Sequence, residues 1–207
     1  PEFLVGNYDS MREIVNKSNG PFSVMNCICR QAKDKMGTPC KQTEVREACL
    51  TIGNSAKYMI NRGVGRELKR EEVMKMMTRA KKEGMVIQPE NNQDPSFICF
   101  CCGCCCGLLK AAAMGLPNAV NSYYYARIDP ELCEACGICL EERCQIKAIE
   151  EVDDTYRVIQ EKCIGCGLCA TTCPTDAIQL IRKKEEDIVP PVRDEDLWFE
   201  ERARQRG

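Results

Sequence analysis

The sequence predicts an α+β protein in three parts, and two patterns carry that prediction. Between residues 44 and 85 apolar side chains recur at helical spacing, and between residues 133 and 178 a cysteine-rich segment occurs twice. The internal repeat predicts a pseudo-twofold. We therefore expect a helical, cysteine-rich N-terminal module over residues 1–122, a pseudo-twofold module over residues 123–182, and a charged C-terminal arm over residues 183–207.

Helical periodicity is clearest in the second half of the N-terminal module. Glu, Lys and Arg occupy the face opposite the apolar one, and Gly84 is typical of a helix end. A short helix over residues 11–17 and a strand-like apolar run that begins at Phe22 are expected earlier in the chain. The apolar face of the main helix is expected to comprise Val73, Met76, Met77 and Ala80.

Eight of the 18 cysteines form two matching runs in the pseudo-twofold module. Three cysteines at two-residue gaps let one tight loop place three thiolates around one face of an iron–sulfur cube. Structural zinc suits Cys-x2-Cys pairs, but it has no use for a third cysteine at the same gap. A disulfide framework is typical of shorter secreted chains. The first run is Cys133, Cys136, Cys139 and Cys144, and the second is Cys163, Cys166, Cys169 and Cys173, followed by Pro174.

The second run has the spacing Cys-x2-Cys-x2-Cys-x3-Cys-Pro, and residues 124–182 resemble the two-[4Fe–4S] bacterial-type ferredoxins. "CEACGICLEERCQIKAI" lies over "CIGCGLCATTCPTDAI" with a period of 30 residues. The resemblance implies two short hairpins and two short helices around two cubane clusters that pass single low-potential electrons. It also implies that the runs exchange their last ligand. Cluster one would be held by Cys133, Cys136, Cys139 and Cys173, and cluster two by Cys163, Cys166, Cys169 and Cys144.

The first run departs from this family beside Cys144. Gln145 stands where the family usually has proline, and the gap from Cys139 to Cys144 is one residue longer than the matching gap in the second run. We therefore expect cluster two to differ in exposure and in reduction potential. The three tyrosines at residues 123–125 would shield cluster one from water, or would form a strand that packs on the N-terminal helices.

Ten further cysteines lie in the N-terminal module, and six of them occupy eight positions between residues 99 and 106. Neighbours in this run must serve different sites or remain unused, and the glycines within it and after it let the backbone approach an inorganic core closely. Ten thiols suffice for two four-cysteine clusters, so we expect one or two further iron–sulfur clusters; buried structural cysteine is the alternative. The ten are Cys27, Cys29, Cys40, Cys49, Cys99, Cys101, Cys102, Cys104, Cys105 and Cys106.

The segments "CICR", "MGTPC" and "CFCCGCCCGLL" extend the resemblance to residues 24–182, where the chain is similar to multi-cluster ferredoxin-like electron-transfer subunits of anaerobic microbes. The resemblance implies a partner that is a larger oxidoreductase subunit, for instance a flavoprotein or a molybdenum or tungsten enzyme. Eighteen reduced cysteines favour a reducing cytoplasm. A net charge of −2, made more acidic by thiolate-ligated clusters, disfavours nucleic acid.

The longest apolar stretch, residues 97–120, is interrupted by Lys110, so we expect no membrane span. Ordinary catalysis is not evident, because the sequence has no histidine and no nucleotide-binding loop, and we expect a non-catalytic electron-transfer subunit. Two alternatives stay open. In one, the chain is a small reductase whose 99–106 cysteine run holds a reactive cluster with an open coordination site. In the other, it is an iron–sulfur redox sensor.

Overall fold

The computed structural model describes residues 4–116 and 119–206. Helices and strands alternate through the N-terminal module, and short strands dominate the module that follows. The α-helices of the described residues are α1 (Tyr8–Lys17), α2 (Ile28–Lys35), α3 (Gly53–Asn61), α4 (Arg70–Lys82), α5 (Gly107–Ala113) and α6 (Glu195–Arg206). The strands are β1 (Phe22–Asn26), β2 (Glu47–Ile52), β3 (Arg66–Leu68), β4 (Val86–Pro89), β5 (Phe97–Cys101), β6 (Tyr124–Ile128), β7 (Ile149–Val152), β8 (Thr155–Val158) and β9 (Ile178–Arg182).

The N-terminal module is built on a five-stranded antiparallel sheet in the order β3-β1-β2-β5-β4. The expectation of a purely helical pattern over residues 44–85 is therefore wrong at β2 and β3. β2 is a central strand in which Leu50 and Thr51 are both buried, although neighbouring side chains point to opposite faces. Because both faces of β2 are covered, its sequence lacks the alternation that marks a half-buried strand.

The main helix expected from the periodicity is present as α4. Val73, Met77 and Ala80 are buried on its inner face. The helix ends at the residue before Glu83, and Gly84 follows in the left-handed region with φ 73°, a conformation common just past a helix end. The short helix expected over residues 11–17 is also present, and α1 begins three residues earlier.

The pseudo-twofold module consists of two antiparallel strand pairs, β6 with β9 and β7 with β8. The repeat in its sequence is accompanied by a repeat in backbone conformation. Positive φ angles occur at matching positions of the two halves: Ala135 and Gly165, Gly137 and Gly167, and Lys147 and Asp176.

The two modules share one hydrophobic core. Tyr8, Leu109 and the inner face of α4 belong to the same buried cluster as Ile164 and Leu168 of the pseudo-twofold module. The C-terminal arm also returns to the N-terminal module, since the Gln93 N–H donates to the Val192 carbonyl at 3.0 Å. Within the described ranges, no helix has the length and apolar character needed to cross a membrane.

Candidate iron–sulfur sites

All 18 cysteines are free thiols, and the eight of the pseudo-twofold module line two separate cavities. Each cavity takes three cysteines from one run and the fourth from the other run. The first cavity is lined by Cys133, Cys136, Cys139 and Cys173. The second cavity is lined by Cys163, Cys166, Cys169 and Cys144.

The second cavity lies closer to the core than the first. Cys144, Cys163 and Cys166 of the second cavity pack against the main hydrophobic core, whereas Cys136 of the first cavity is exposed. Burial raises the pKa of Cys139 to about 11 and that of Cys166 to about 12. Cationic iron offsets this cost, because a coordinating thiol is deprotonated by the metal.

Backbone amides point at the sulfur atoms of the second cavity. The Ala148 N–H donates to Cys144 Sγ at 3.1 Å, and the Ala126 N–H donates to Cys163 Sγ at 3.3 Å. Amide hydrogen bonds to ligand sulfur are one of the means by which a protein sets a cluster potential. The donor set and its surroundings therefore fit an iron–sulfur cluster.

A glycine lets strand β6 approach the second cysteine loop. A Cβ at Gly165 would collide with the Tyr124 carbonyl oxygen, although the matching position in the first loop is Ala135. The close contact, rather than the left-handed backbone alone, requires glycine here. This contact also brings the Ala126 N–H to Cys163.

The tyrosines at residues 123–125 do not line the first cavity. The aromatic residue that does so is Tyr156 of β8, whose hydroxyl donates to the Ala135 carbonyl at 3.3 Å. The β6 strand instead lies beside Cys163 of the second cavity. The sequence did not single out Tyr156, because an isolated aromatic residue in a four-residue strand carries no spacing signal.

The extra residue before Cys144 is accommodated in a single π-helical turn, Cys139–Arg143. The Cys144 N–H donates to the Cys139 carbonyl at 3.0 Å, an i to i+5 bond. The matching segment of the second run, Ala170–Thr172, is a 3-10 turn. The longer gap therefore changes the local backbone, while Cys144 still reaches the second cavity.

The ten N-terminal cysteines divide into two groups, and the alternation of β5 begins that division. Cys99 and Cys101 point to the same face of the strand, where Cys49 of β2 is paired with Cys99. Cys102 follows the strand and turns away. We call the larger set the six-thiol group; it comprises Cys27, Cys29, Cys49, Cys99, Cys101 and Cys106, whose thiols interact with one another in neighbouring pairs.

Two members of the six-thiol group lie at helix N-termini. The neighbouring thiol of Cys29, with backbone N–H groups of α2, lowers the pKa of Cys27 to about 6. Cys101 and the first N–H groups of α5 likewise lower the pKa of Cys106 to about 7. Thiolates are the form that binds metal, and helix N-termini favour them.

The remaining four cysteines form a compact set that we call the tetrathiol site: Cys40, Cys102, Cys104 and Cys105. Their Sγ atoms all lie within 4.8 Å of one another. Burial raises the pKa of Cys40, but the backbone N–H groups of Gln42 and Thr43 outweigh it and bring that pKa to about 7.

Gln145 links the cysteine loop of the N-terminal module to the second cavity. The Gly103 N–H donates to Gln145 Oε1 at 2.9 Å, and a Cβ at Gly103 would collide with the Gln145 carbonyl oxygen. Gln145 directly follows Cys144 and lines the second cavity. Proline, the usual residue of the resembled family, would supply no side-chain acceptor for this bond.

Comparison with known proteins finds an iron–sulfur domain within the pseudo-twofold module. The 4Fe-4S binding domain family matches residues 156–179. A 7Fe ferredoxin of Hydrogenibacillus schlegelii is 39% identical over 66 residues, which are 32% of this chain and 77% of that protein. An uncharacterized ferredoxin of Methanocaldococcus jannaschii is 42% identical over 50 residues, 24% of this chain and 30% of that protein. Hydrogenase-4 component A of Escherichia coli is 41% identical over 51 residues, 24% of each chain.

Cysteine runs, matching backbone and these similarities together define an iron–sulfur protein of the ferredoxin type. The chain belongs to the ferredoxin family. It spans less than a third of the length of the M. jannaschii and E. coli relatives.

Proposed function

We propose that this chain relays single low-potential electrons through several iron–sulfur clusters to or from a larger oxidoreductase. The observation that supports it most is the crosswise arrangement of cysteines around the two cavities. In this proposal each cavity holds one [4Fe–4S] cluster on its four cysteines. When bound, such a cluster supplies one-electron transfer at a potential set by its surroundings.

The six-thiol group is proposed to hold a further iron–sulfur cluster. Four cysteines complete one cubane, so this group has more thiols than a cubane needs. An excess of ligands argues for a fully ligated cluster that transfers electrons, and against a cluster whose open iron reacts with a substrate. The thiol count of the N-terminal module therefore favours the electron-transfer role over the small-reductase alternative.

The positions of the sites suggest a direction through the molecule. Gly103, in the N-terminal cysteine loop, contacts Gln145 beside the second cavity, and the first cavity lies beyond it toward the surface at Cys136. Leu132, which precedes Cys136 closely in the sequence, is an apolar side chain that is 49% exposed. We propose that the redox partner docks at this edge.

The partner is proposed to be an oxidoreductase, such as a flavoprotein or a molybdenum or tungsten enzyme. Support comes from the name of the E. coli relative, which describes a component of a hydrogenase. The net charge of −2 disfavours nucleic acid as a binding partner, because the phosphate backbone is also negative.

Single Cys→Ala variants of the anaerobically purified chain test the crosswise ligation. Cys133→Ala and Cys173→Ala should remove the same electron paramagnetic resonance signal on stepwise reduction, and Cys163→Ala and Cys144→Ala should remove the other. Each variant should lose about four irons and about four sulfides per chain, the content of one cubane.

Ligation within each run would give a different grouping. Cys173→Ala would then remove the same signal as Cys163→Ala, and Cys144→Ala the same signal as Cys133→Ala. That result would contradict the proposed cluster arrangement. A wild-type chain without acid-labile sulfide would contradict the iron–sulfur function altogether.

A further inference from the structure

The tetrathiol site has the dimensions of a single-ion site. Cys40 Sγ lies 3.5 Å from Cys102 Sγ and 3.6 Å from Cys104 Sγ. Cys104 Sγ lies 3.6 Å from Cys102 Sγ and 3.7 Å from Cys105 Sγ. Four thiolates about 2.3 Å from one tetrahedral ion stand about 3.8 Å apart, which these distances match closely.

A cubane requires a wider arrangement. Its four thiolates each bind a different iron at a different corner, so their sulfur atoms are separated by the cluster itself. Among the residues that the structure describes, the tetrathiol site is the one group of cysteine or carboxylate ligand atoms gathered within 4.8 Å of one another. The cysteine sulfur atoms around the first and second cavities of the pseudo-twofold module do not form such a compact group.

We propose that Cys40, Cys102, Cys104 and Cys105 bind one tetrahedral divalent metal ion, Zn²⁺ or Fe²⁺, and not an iron–sulfur cluster. Tetrahedral coordination by four thiolates is a geometry that these ions accept. Three of the ligands come from one turn, in which the Cys105 and Cys106 N–H groups both donate to the Cys102 carbonyl. Cys40 comes from the loop that follows α2, so the ion joins two segments distant in sequence.

A buried arginine provides charge complementarity. Arg30 is 1% exposed and donates to three neutral acceptors: the Phe100 carbonyl at 2.8 Å, the Val45 carbonyl at 3.1 Å and Met85 Sδ at 3.0 Å. The Cys102 thiol of the tetrathiol site is a further side-chain partner. A buried guanidinium requires a nearby negative charge. Burial lowers the pKa of Arg30, while Cys102, Cys27 and Cys40 more than restore it. A divalent ion with four thiolates carries a net charge of −2, which Arg30 partly neutralises.

The ion would hold the turn that contacts the pseudo-twofold module, which we now call the ferredoxin module. Gly103 lies between two of the ligands and donates its N–H to Gln145. Fixing the turn at Cys102, Cys104 and Cys105 therefore fixes the position of the N-terminal module beside Cys144. The role is structural, and it does not depend on the potential of any cluster.

Metal and sulfide analysis of the anaerobically purified full chain tests the proposal. We expect the wild type to contain about one zinc, or one iron in excess of the iron matched by acid-labile sulfide, because a cubane contains the two in equal numbers. Cys104→Ala/Cys105→Ala should lack that ion and retain the wild-type sulfide content. The contrasting variant Cys27→Ala/Cys99→Ala/Cys101→Ala leaves three thiols in the six-thiol group, too few for a cubane, and should lose iron and sulfide together.

Two results would overturn the single-ion site: loss of about four sulfides with the iron in Cys104→Ala/Cys105→Ala, which is cubane content, or an unchanged metal content in that variant. A sulfide loss seen only in the contrasting variant concerns only the proposed cluster of the six-thiol group. The single-ion proposal and the cluster proposal can therefore fail independently.

Should the double variant not fold, spectroscopy of the wild type decides. Zinc-edge X-ray absorption should then show four sulfur neighbours at about 2.3 Å and no metal neighbour. If the ion is iron, Mössbauer spectra should contain a separate high-spin ferrous component. A wild type without zinc, whose iron belongs entirely to clusters, overturns the proposal.

Discussion

Two glycines of one loop, Gly103 and Gly107, differ in whether the structure leaves space for a side chain. A Cβ at Gly103 would collide with the Gln145 carbonyl oxygen, whereas a Cβ at Gly107 would meet nothing within 4 Å. Gly103 is therefore needed for close approach of two backbones, while Gly107 only begins a helix. The pair offers a matched test of the contact between the modules.

We expect Gly103→Ala to lower the free energy of unfolding by about 1–3 kcal/mol, the usual cost of overpacking. Gly107→Ala should leave it unchanged or raise it by up to about 1 kcal/mol, because alanine favours helix over glycine. Urea unfolding of the cluster-loaded protein measures both. Equal midpoints for the two variants would show that the Gly103 contact does not limit stability.

At the residue scale, the sequence predicted the ferredoxin cysteines from spacing, because ligands of one cluster on one loop must be regularly spaced. The partners of single residues could not be predicted in this way. The departure at Gln145 was visible, but its bond to Gly103 joins positions 42 residues apart. The division of the ten N-terminal cysteines also depended on contacts between β2, β5 and two loops.

At the scale of elements, one arginine joins the end of α4 to the ferredoxin module. Arg143 is 6% exposed and donates to the carbonyls of Lys81 at 2.8 Å and Lys82 at 3.0 Å. It also donates to the Leu168 carbonyl at 3.4 Å. The last carbonyls of a helix have no partner within the helix, and a cation is favourable there.

Arg143→Met should therefore lower the free energy of unfolding by about 2–4 kcal/mol, since it leaves buried carbonyls without donors. Arg157→Met is the matched control: Arg157 forms a surface ion pair with Glu150 at 2.7 Å, and loss of such a pair costs about 0–1 kcal/mol. Denaturant titrations at one ionic strength compare them. Similar losses in both variants would contradict an anchoring role for Arg143.

The elements themselves were predicted unevenly. The α4 helix was found because its apolar spacing is long and regular, whereas β3 has only three residues and β2 is covered on both faces. Short apolar runs of this kind do not distinguish strand from helix. The α+β class is confirmed at the level of mixed helices and strands, and the N-terminal module needs the correction of a five-stranded sheet.

At the scale of the whole molecule, the shared core predicts that the two modules unfold together. Leu168 of the ferredoxin module is completely buried and belongs to the core that contains Leu109 and Tyr8. Sequence composition drew a boundary near residue 122, because cysteine spacing changes there. The hydrophobic core extends across that boundary, and sequence composition carries no information on contacts between the two modules.

Leu168→Ala should lower the stability of both modules by about 2–5 kcal/mol, the cost of a large cavity in a core. Far-ultraviolet circular dichroism follows the helices, most of which are N-terminal, and visible absorbance follows the clusters. We expect both midpoints to shift equally. Separate transitions, with only the absorbance shifted by the variant, would mean that the modules are thermodynamically independent.

The interleaved cysteines between Cys99 and Cys106 have a consequence for maturation. Cys101 and Cys106 belong to the six-thiol group, while the residues between them include three members of the tetrathiol site. Whichever centre is loaded first must meet the entropic cost of ordering the turn, and the other then binds to ligands already in place. Under the proposed assignments, loading of the two centres is therefore cooperative, and scarcity of either metal in the growth medium would also lower the occupancy of the other site.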